Sequence, residues 1–490
     1  MKALLVYPDY ADTFWSFKYA LRFISRKSTS PPLGLLTVAA MLPNEWELKL
    51  VDMKVKRLRD KDLDWAEVVL ISAMMVQKES SQDVIRRCNN AGVTVIAGGP
   101  LFTAYHEEFE GVDHFVLNDA EETLPEFLAD FAEGRAKPVY TTSIYPPMDR
   151  SPVPRWDMVN LNKYAEVDIQ YSRGCPYACE FCDIGVLFGK RIRAKQTAQV
   201  LAELDELHRL GWAGTVFFVD DNFIGNKSKL RKDLLPALFQ WQADHNHPFD
   251  FTTEASIDLA DDPELMTLMV ASGFKEVFIG IETTNEEALL ECNKLQNKKR
   301  DMLESVKILH SNGLMVKGGF ILGFDSDNST IFDKLTAFIE ESAIVTAMVG
   351  LLNAPKGTKL YKRLEKENRI LSNMSGNNTD SSMNFIPKMD LSQLQKGYQD
   401  VISRIYSPAE YYRRVRKFLQ EYKPIKMKVR INWNELSAFF RSIFVLGVVG
   451  KERTHYWKLL FWTLRYKPRM IVYAVTFAIY GFHFRKVFGL

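Results

Sequence analysis

Cysteine is scarce in this chain, and long apolar runs are missing. Five cysteines in 490 residues are too few for a disulfide-stapled scaffold. No uninterrupted apolar run reaches the ~20 residues that a membrane-spanning helix needs. The first apolar run is short and is followed at once by Asp9 and Asp12, which predicts a first strand and not a signal peptide. We therefore expect a chain that folds in the reducing cytoplasm.

Three of the five cysteines, Cys175, Cys179 and Cys182, fall within eight positions of the stretch YSRGCPYACEFCDIG. Thiolates bind zinc, copper(I) or iron–sulfur clusters. A structural zinc site needs four ligands, usually from two C-x-x-C pairs. No second pair lies nearby, and Cys88 and Cys292 are isolated on helix-like segments. Zinc stays an alternative, but three thiols in one loop favour a 4Fe–4S cluster with one iron open to a further ligand.

Residues 1–135 alternate strand-length apolar runs with helix-length segments, which predicts an open parallel sheet covered on both faces. Ligands of such sheets lie beyond the carboxyl ends of the strands. One of these ends carries Gly98 and Gly99, where the backbone could approach a bulky ligand; a tight turn is the alternative. The predicted strands are 3–7, 47–52, 67–72, 93–98 and 113–117.

A proline-rich stretch at 136–165 predicts a linker. Residues 166–372 then repeat the β–α alternation in longer units, and six such units fit a partial barrel with its chemistry at the carboxyl ends of the strands. The predicted strands are 166–172, 214–221, 249–256, 275–282, 314–323 and 347–353. Polar side chains at the ends of three of these strands are candidate ligand-binding groups, with solvated loop residues or helix caps as the alternative: Asp220, Asp221, Asn222, Glu254 and Glu282.

Residues 373–490 are predicted to form a helical extension rich in basic and aromatic residues, after a polar loop at 373–384. Residues 411–490 carry about seventeen Lys and Arg against three acidic residues, although the formal net charge of the chain is only +2. This composition is typical of a packed cap with a solvated basic face, or of a helical surface that lies on an anionic membrane. Nucleic acid is a third alternative, but the density of apolar residues favours a membrane over RNA.

The spacing C-x-x-x-C-x-aromatic-C, with Phe181 at the aromatic position, resembles the signature of radical S-adenosylmethionine (SAM) enzymes. The resemblance covers roughly residues 160–355 and implies a partial (β/α)6 barrel. It implies that the three cysteines hold a 4Fe–4S cluster, that SAM binds the open iron and is cleaved to a 5′-deoxyadenosyl radical, and that a donor such as flavodoxin or ferredoxin supplies the electron. It also implies that the region of Phe181 meets the adenine and that the polar strand-end groups hold SAM.

The first domain resembles the cobalamin-binding branch of this superfamily in the segments SPPLGLLTVAAML, GGPLFT and DAEET. This resemblance implies a flavodoxin-like, Rossmann-type sheet with cobalamin over its carboxyl edge, facing the cluster. The chain has no histidine before His106, so the D-x-H-x-x-G loop that binds cobalt in domains of the methionine synthase kind is absent. That loss is common in the radical branch and is compatible with cobalamin. A domain that binds substrate or nothing is the alternative.

The full layout, with the segments DTFWSFKYALRFI and HYWKLLFWTLR, resembles the family that includes hopanoid C-methylases. It implies a cobalamin-dependent radical SAM C-methyltransferase that acts on an unactivated carbon of a hydrophobic or lipid substrate. The extension at 411–490 would then contact the inner face of the membrane. Two alternatives stay open: an enzyme with both cofactors that cyclises, oxidises or rearranges its substrate, and a non-catalytic, metal-stabilised membrane adaptor.

Overall fold

The computed structural model of the protein describes residues 1–424 and 433–490. Two parallel sheets with covering helices are followed by a mainly helical C-terminal part, which confirms the predicted α/β fold class. The section of the predicted helical extension at 425–432 lies outside the described residues. Buried side chains of all three parts belong to one continuous hydrophobic cluster, so the predicted domain boundaries stay predictions.

The first sheet has six parallel strands in the order β2-β1-β3-β4-β5-β6, the flavodoxin-like arrangement. The five predicted strands are confirmed, because short apolar runs buried on both faces are typical of parallel sheets. The sixth strand has only two residues and left no pattern in the sequence. The strands are β1 Lys2–Tyr7, β2 Glu47–Asp52, β3 Val68–Ser72, β4 Thr94–Gly98, β5 His114–Val116 and β6 Val139–Tyr140.

The helices of the first sheet bury one apolar face each. On the amphipathic helix Lys78–Asn90, for example, Val84, Ile85 and Cys88 are buried against the sheet. The bounds are α1 Lys18–Leu21, α2 Leu33–Met41, α3 Asp60–Trp65, α4 Lys78–Asn90, α5 Pro100–Tyr105 and α6 Ala120–Ala132. The stretch after β6 is packed rather than loose, since Trp156 and Tyr164 are almost fully buried.

The second sheet also has six parallel strands, in the order β7-β10-β11-β12-β13-β14. Each strand of this sheet lies beside the next strand of the same sheet along the chain. The strands β7 and β14 are at the two edges, so the sheet is an open, partial barrel, and the six predicted strands are confirmed. A short antiparallel pair, β8 with β9, was not predicted. The strands are β7 Glu166–Ile169, β8 Ser172–Arg173, β9 Arg193–Ala194, β10 Thr215–Phe218, β11 Asp250–Ala255, β12 Phe274–Glu282, β13 Met315–Leu322 and β14 Ala347–Leu351.

Side chains of the barrel strands alternate between the helical layer and the interior. In β7, Val167 and Ile169 are fully buried in the hydrophobic cluster, whereas Glu166 and Asp168 line the interior. The accompanying helices are α7 Ile184–Leu187, α8 Thr197–Arg209, α9 Lys227–Lys229, α10 Leu235–Asp244, α11 Pro263–Ala271, α12 Glu286–Glu291, α13 Met302–Ser311, α14 Ile331–Glu341 and α15 Lys359–Lys366. A π-helical segment, Leu230–Leu234, leads into α10.

The C-terminal helices pack onto the barrel and onto the segment that follows β1. The ring of Phe14 stacks on Phe484 with centroids 4.3 Å apart, and a ring nitrogen of His483 lies 3.0 Å from the Phe14 carbonyl oxygen. Trp15 reaches further, and its indole N–H points to the sulfur of Met348 in β14 at 3.1 Å. The helices are α16 Leu391–Ile405, α17 Pro408–Glu421, α18 Trp433–Ser442 with its π-helical continuation Ile443–Val449, α19 Arg453–Tyr466 and α20 Ile471–Val487. In the described parts of the chain, none of the helices combines the length and the hydropathy that crossing a bilayer requires.

Candidate functional site

A cavity of about 1820 Å³ lies where the two sheets and the C-terminal helices meet. A site for one small ligand usually measures about 300–1,000 Å³, so this cavity has room for several ligands at once. Gly98 and Gly99 line it from the first sheet, Glu254 lines it from the barrel, and Val475 and Ile479 line it from α20. The fold therefore places the carboxyl ends of strands from both sheets against one shared cavity.

The three clustered cysteines lie on the loop between β8 and α7, all half-buried and all free thiols. The side-chain amide of Gln296 approaches the sulfur of Cys179 at 3.9 Å. Among the residues that the structure describes, no three His, Cys, Asp or Glu side chains are arranged to hold a single metal ion. Three thiols on one loop are nevertheless the soft donor set that an iron–sulfur cluster takes.

A buried ion pair lies beside this loop. The ammonium of Lys294 is 2.6 Å from Oε1 of Glu282, and both side chains are at most 13% exposed. Burial alone would lower the pKa of Lys294, but Glu282 and the thiol of Cys179 raise it above its usual range. A cation fixed at this position compensates negative charge on thiolates. The Glu282 side chain, predicted to bind SAM, is thus engaged with a lysine that the sequence analysis did not single out.

The carboxylates that follow β10 hold the backbone in front of the cysteine loop. Asp220 is fully buried and accepts hydrogen bonds from the backbone N–H groups of Tyr171, at 3.0 Å, and Ser172, at 2.5 Å. Asp221 accepts from the N–H of Gly174 at 2.9 Å. Burial raises the pKa of Asp220 to about 7 and that of Asp221 to about 6. These side chains fix the position of the loop through its backbone; a direct contact with SAM stays a prediction.

Of the other predicted binding residues, Glu254 lines the cavity, whereas Asn222 and Phe181 contact neighbouring protein side chains. Glu254 faces the cavity, and burial raises its pKa to about 8. Asn222 instead exchanges hydrogen bonds with Ser256, its side-chain oxygen accepting from that backbone N–H at 3.2 Å. Phe181 is partly buried against Phe324, with ring centroids 6.3 Å apart. The cofactor-binding roles of these three residues stay predictions.

At the carboxyl end of β4, the backbone conformation at Gly99 and the lack of space at both Gly98 and Gly99 require glycine. Gly99 has φ = +88°, and a Cβ there would lie 2.5 Å from Oγ of Ser72. A Cβ at Gly98 would lie 2.6 Å from the carbonyl oxygen of Val116. Protein atoms therefore already fill the space of both missing side chains, and a tight turn accounts for the glycines. Their backbone still forms part of the cavity wall, which is compatible with the predicted close approach of a cofactor.

A buried arginine on β8, directly before the cysteine loop, is bound to the acidic residues that follow β5 of the first sheet. Arg173 donates one 2.9 Å hydrogen bond to Asp119 and two 2.9 Å hydrogen bonds to the two carboxylate oxygens of Glu121. Arg193 reaches Asp119 at 2.8 Å from the other side. Both acidic residues lie in the segment DAEET, but their partners could not be read from the sequence, because the two arginines are more than 50 positions away on β8 and β9.

The chain matches three family models. They are a B12 binding domain over residues 20–128, the radical SAM superfamily over residues 169–339, and a domain of unknown function, DUF4070, over residues 358–490. The radical SAM and B12-binding domains correspond to the predicted cofactors, which are SAM, a 4Fe–4S cluster and cobalamin.

Curated relatives cover most of the chain. An uncharacterized methyltransferase of Synechocystis sp. is 41% identical over 99% of this chain and 91% of its own length. The hopanoid C-2 methylase of Rhodopseudomonas palustris is 34% identical over 84% of this chain and 78% of its own length.

Solved structures share the fold. The radical SAM methyltransferase TsrM from Kitasatospora setae, with cobalamin and a [4Fe–4S] cluster bound, superimposes with a TM-score of 0.65. That match covers 97% of this chain and 98% of TsrM at 15% identity. The cobalamin-dependent radical enzyme OxsB superimposes with a TM-score of 0.63, over 98% of this chain and 79% of OxsB, also at 15% identity. Because relatives above 30% identity match over more than three quarters of both chains and both domain models also match, the chain belongs to the family of radical SAM methyltransferases that carry a B12-binding domain.

Proposed function

We propose that this enzyme methylates an unactivated carbon of a hydrophobic or lipid substrate. The observation that supports the proposal is the apolar wall of the cavity, which the C-terminal helices and the segment after β1 build together. A wall of this composition binds an apolar molecule by burying its surface, at roughly 25 cal/mol per Å². The side chains of this wall include Trp15, Phe17, Leu21, Phe23, Phe439, Ile471, Val475 and Ile479.

The residues of the site fit the family's cofactors. We assign the cluster to Cys175, Cys179 and Cys182, and the cobalamin to the carboxyl edge of the first sheet beside Gly98 and Gly99. When bound, SAM at the reduced cluster supplies a 5′-deoxyadenosyl radical, and cobalamin supplies the methyl group. The chain itself holds the cysteine loop through Asp220 and Asp221, ties the strand before that loop to the first domain through Arg173, and offers the substrate a large apolar cavity beside both cofactor sites.

The product analysis of the reconstituted enzyme tests this proposal. The protein is purified without oxygen, loaded with iron, sulfide and cobalamin, and supplied with reduced flavodoxin or ferredoxin as electron donor. We expect S-adenosylhomocysteine and 5′-deoxyadenosine to form together, and a lipid fraction of expressing cells to gain 14 mass units per transferred methyl group. 5′-Deoxyadenosine without S-adenosylhomocysteine would indicate a cyclase or rearrangement enzyme. A protein that holds the cluster but does not cleave SAM would be an adaptor.

We further propose that the C-terminal helices contact an anionic membrane surface. Phe444, Val449 and Phe461 are each more than 60% exposed on the π-helical continuation of α18 and on α19. Trp457 connects the two helices, since its indole N–H donates to the carbonyl oxygen of Gly447 at 2.9 Å and its ring stacks on Phe461. Basic side chains at 453, 458 and 465 lie on α19, and another, at 451, lies in the turn that precedes it. Exposed aromatic residues next to basic ones favour the headgroup region of anionic lipids.

Replacing Phe444 and Phe461 together with serine is expected to weaken binding to vesicles that contain anionic lipid by about tenfold, since two exposed aromatic side chains lose their burial in lipid. Sedimentation with phosphatidylserine-containing vesicles at low and at high salt measures the effect. The matched control is Phe239→Ser on α10, which is 49% exposed but lies in the barrel's helical layer. Equal sedimentation of the double variant and the wild type would contradict membrane contact through these helices.

A further inference from the structure

A cluster of charged side chains lies inside the barrel, at the amino-terminal ends of its strands. Glu166 and Asp168 belong to β7, Glu276 to β12 and Lys317 to β13, and all four line the large cavity. Lys317 is 2.5 Å from Oε2 of Glu276. The cysteine loop follows the opposite, carboxyl ends of the strands. None of the cofactor contacts assigned above uses this cluster.

The cluster contains more acceptors than donors. Oδ1 of Asp168 is buried and has no hydrogen-bond partner within the described residues. Burial raises the pKa of Glu166, and the positive charge of Lys317 acts in the opposite direction and lowers it. For Asp168, burial and the charge of Glu166 raise the pKa, with a hydrogen bond from Ser30 acting against them. The cluster thus has one ammonium against three carboxyl groups: Lys317 pairs with Glu276, and its charge also acts on Glu166.

The surroundings of the cluster offer little compensation. Phe278, Ile479 and Tyr480 line the same cavity, and burial raises the pKa of Tyr480 to about 12, so its phenol is neutral and balances none of the charges of the cluster. A buried carboxyl oxygen without a donor costs free energy, and native proteins rarely leave such an atom unpaired. A ligand that donates hydrogen bonds at this point would remove the cost.

We propose that Asp168 and Glu166 bind a hydroxyl group at one end of the otherwise hydrophobic substrate, an inference that rests on the proposed function. A hydroxyl can donate to an ionised carboxylate and can accept from a protonated one or from Lys317. A substrate carboxylate would instead meet three acidic side chains. Because the cluster lies at the amino-terminal ends of the strands, the anchored molecule extends its apolar part toward the cysteine loop. The modified carbon is therefore remote from the hydroxyl group.

Displacement of a fluorescent apolar dye from the loaded holoenzyme, which holds cluster, cobalamin and SAM, tests the anchor. The probes have one chain length and different ends: 1-dodecanol, dodecane, dodecanoate and dodecylammonium. We expect 1-dodecanol to bind about tenfold more tightly than dodecane, the factor that a net hydrogen bond to a charged acceptor provides. Dodecanoate should bind less tightly than 1-dodecanol. Equal binding of alcohol and alkane, or tighter binding of the ammonium than of the alcohol, would overturn the assignment of a hydroxyl group.

Substitutions test whether the preference for alcohol over alkane depends on Asp168. In Asp168→Leu the preference for alcohol over alkane is expected to fall below threefold, whereas Asp333→Leu, whose carboxylate is exposed on α14, should keep it. Iron and cobalamin contents report whether each variant folds. If Asp168→Leu does not hold its cofactors, Asp168→Asn carries the test, since its amide oxygen is a weaker acceptor and should reduce the preference about threefold. An unchanged preference in the folded variant would refute the anchor.

The outcome can be separated from the fate of the proposed function. Dye displacement measures binding alone, whereas S-adenosylhomocysteine and 5′-deoxyadenosine report methyl transfer and SAM cleavage. Intact formation of both products without any alcohol preference would overturn the anchor and leave the methyltransferase in place. Absent S-adenosylhomocysteine would overturn the methyltransferase whatever the probes do.

Discussion

Alanine in place of Cys175, Cys179 or Cys182 is expected to reduce reductive cleavage of SAM to the background of a protein without iron. The three thiols are the soft ligands of one loop, so the loss of any of them leaves the cluster with too few protein ligands. The measurement is 5′-deoxyadenosine formed by the anaerobically reconstituted protein after addition of dithionite. Iron content and the paramagnetic signal of the reduced cluster are expected to fall with it.

The matched control is Cys88→Ala. Cys88 is fully buried in α4 of the first domain, and the variant should keep both its iron and its cleavage activity. Cys292 is less suitable, because its carbonyl oxygen accepts a 2.8 Å hydrogen bond from the N–H of Glu180 inside the cysteine loop. Cleavage that persists in any of the three loop variants would disprove the cluster assignment, as would zinc bound in the loop of the wild type.

Methionine in place of Arg173 is expected to lower the free energy of unfolding by about 3–5 kcal/mol, the typical cost of removing one partner from a buried ion pair. The Arg173 side chain is 13% exposed, and the Asp119 and Glu121 side chains are 3% exposed. Arg193 would still neutralise Asp119, but Glu121 would lose its only ion-pair partner in the described residues. Methionine fills much of the same space, so the loss reports on charge more than on volume.

The effect of Arg173 should depend on pH. Burial raises the pKa of Glu121, but Arg173 outweighs it and holds that pKa below the usual range. A carboxyl group whose folded-state pKa is lowered stabilises the protein above its unfolded-state pKa, and the contribution is lost as the pH falls through the folded-state value. The stability difference between Arg173→Met and the wild type is therefore largest near neutral pH and shrinks in acid.

Urea denaturation followed by circular dichroism measures both effects. The control is Arg155→Met, which removes an exposed pair whose side chains are 45% and 40% exposed, and which should cost at most ~1 kcal/mol. Arg173 is followed directly by Gly174 and Cys175, so we also expect the Arg173→Met protein to incorporate less iron. A stability loss of the same size as in the control would contradict a buried electrostatic link between β8 and the acidic residues that follow β5.

Local patterns in the sequence were sufficient to predict most of the fold. Eleven predicted strands are present, because each is a short apolar run bounded by polar or turn-forming residues. The strands that were missed, β6, β8 and β9, have two residues each and are too short to show a period. The alternation of polar residues in β7 was visible in the sequence, but it is also typical of a strand with one face in solvent.

The candidate site was predictable only in part, because only its local patterns are visible in the sequence. The cysteines are close in sequence and their spacing carries chemical information, whereas the groups that support them come from distant strands. Asp220 is 48 positions from the backbone N–H of Ser172 that it accepts from, and Lys294 is more than 100 positions from the cysteines whose charge it can compensate. The wall of the cavity likewise joins residues near both ends of the chain.

The amino-acid sequence by itself determined the order of strands and helices, the position of the three clustered thiols and the membership of the chain in its family. The choice of partners for each buried charge depended on the tertiary structure: Arg173 pairs with Glu121 and Lys294 with Glu282, whereas Oδ1 of Asp168 has no hydrogen-bond partner among the described residues. The physical reason is the distance along the chain over which each effect acts. Hydrophobic periodicity acts over a few residues of one chain segment, whereas burial and electrostatic pairing depend on which segments the folded chain brings within a few ångströms.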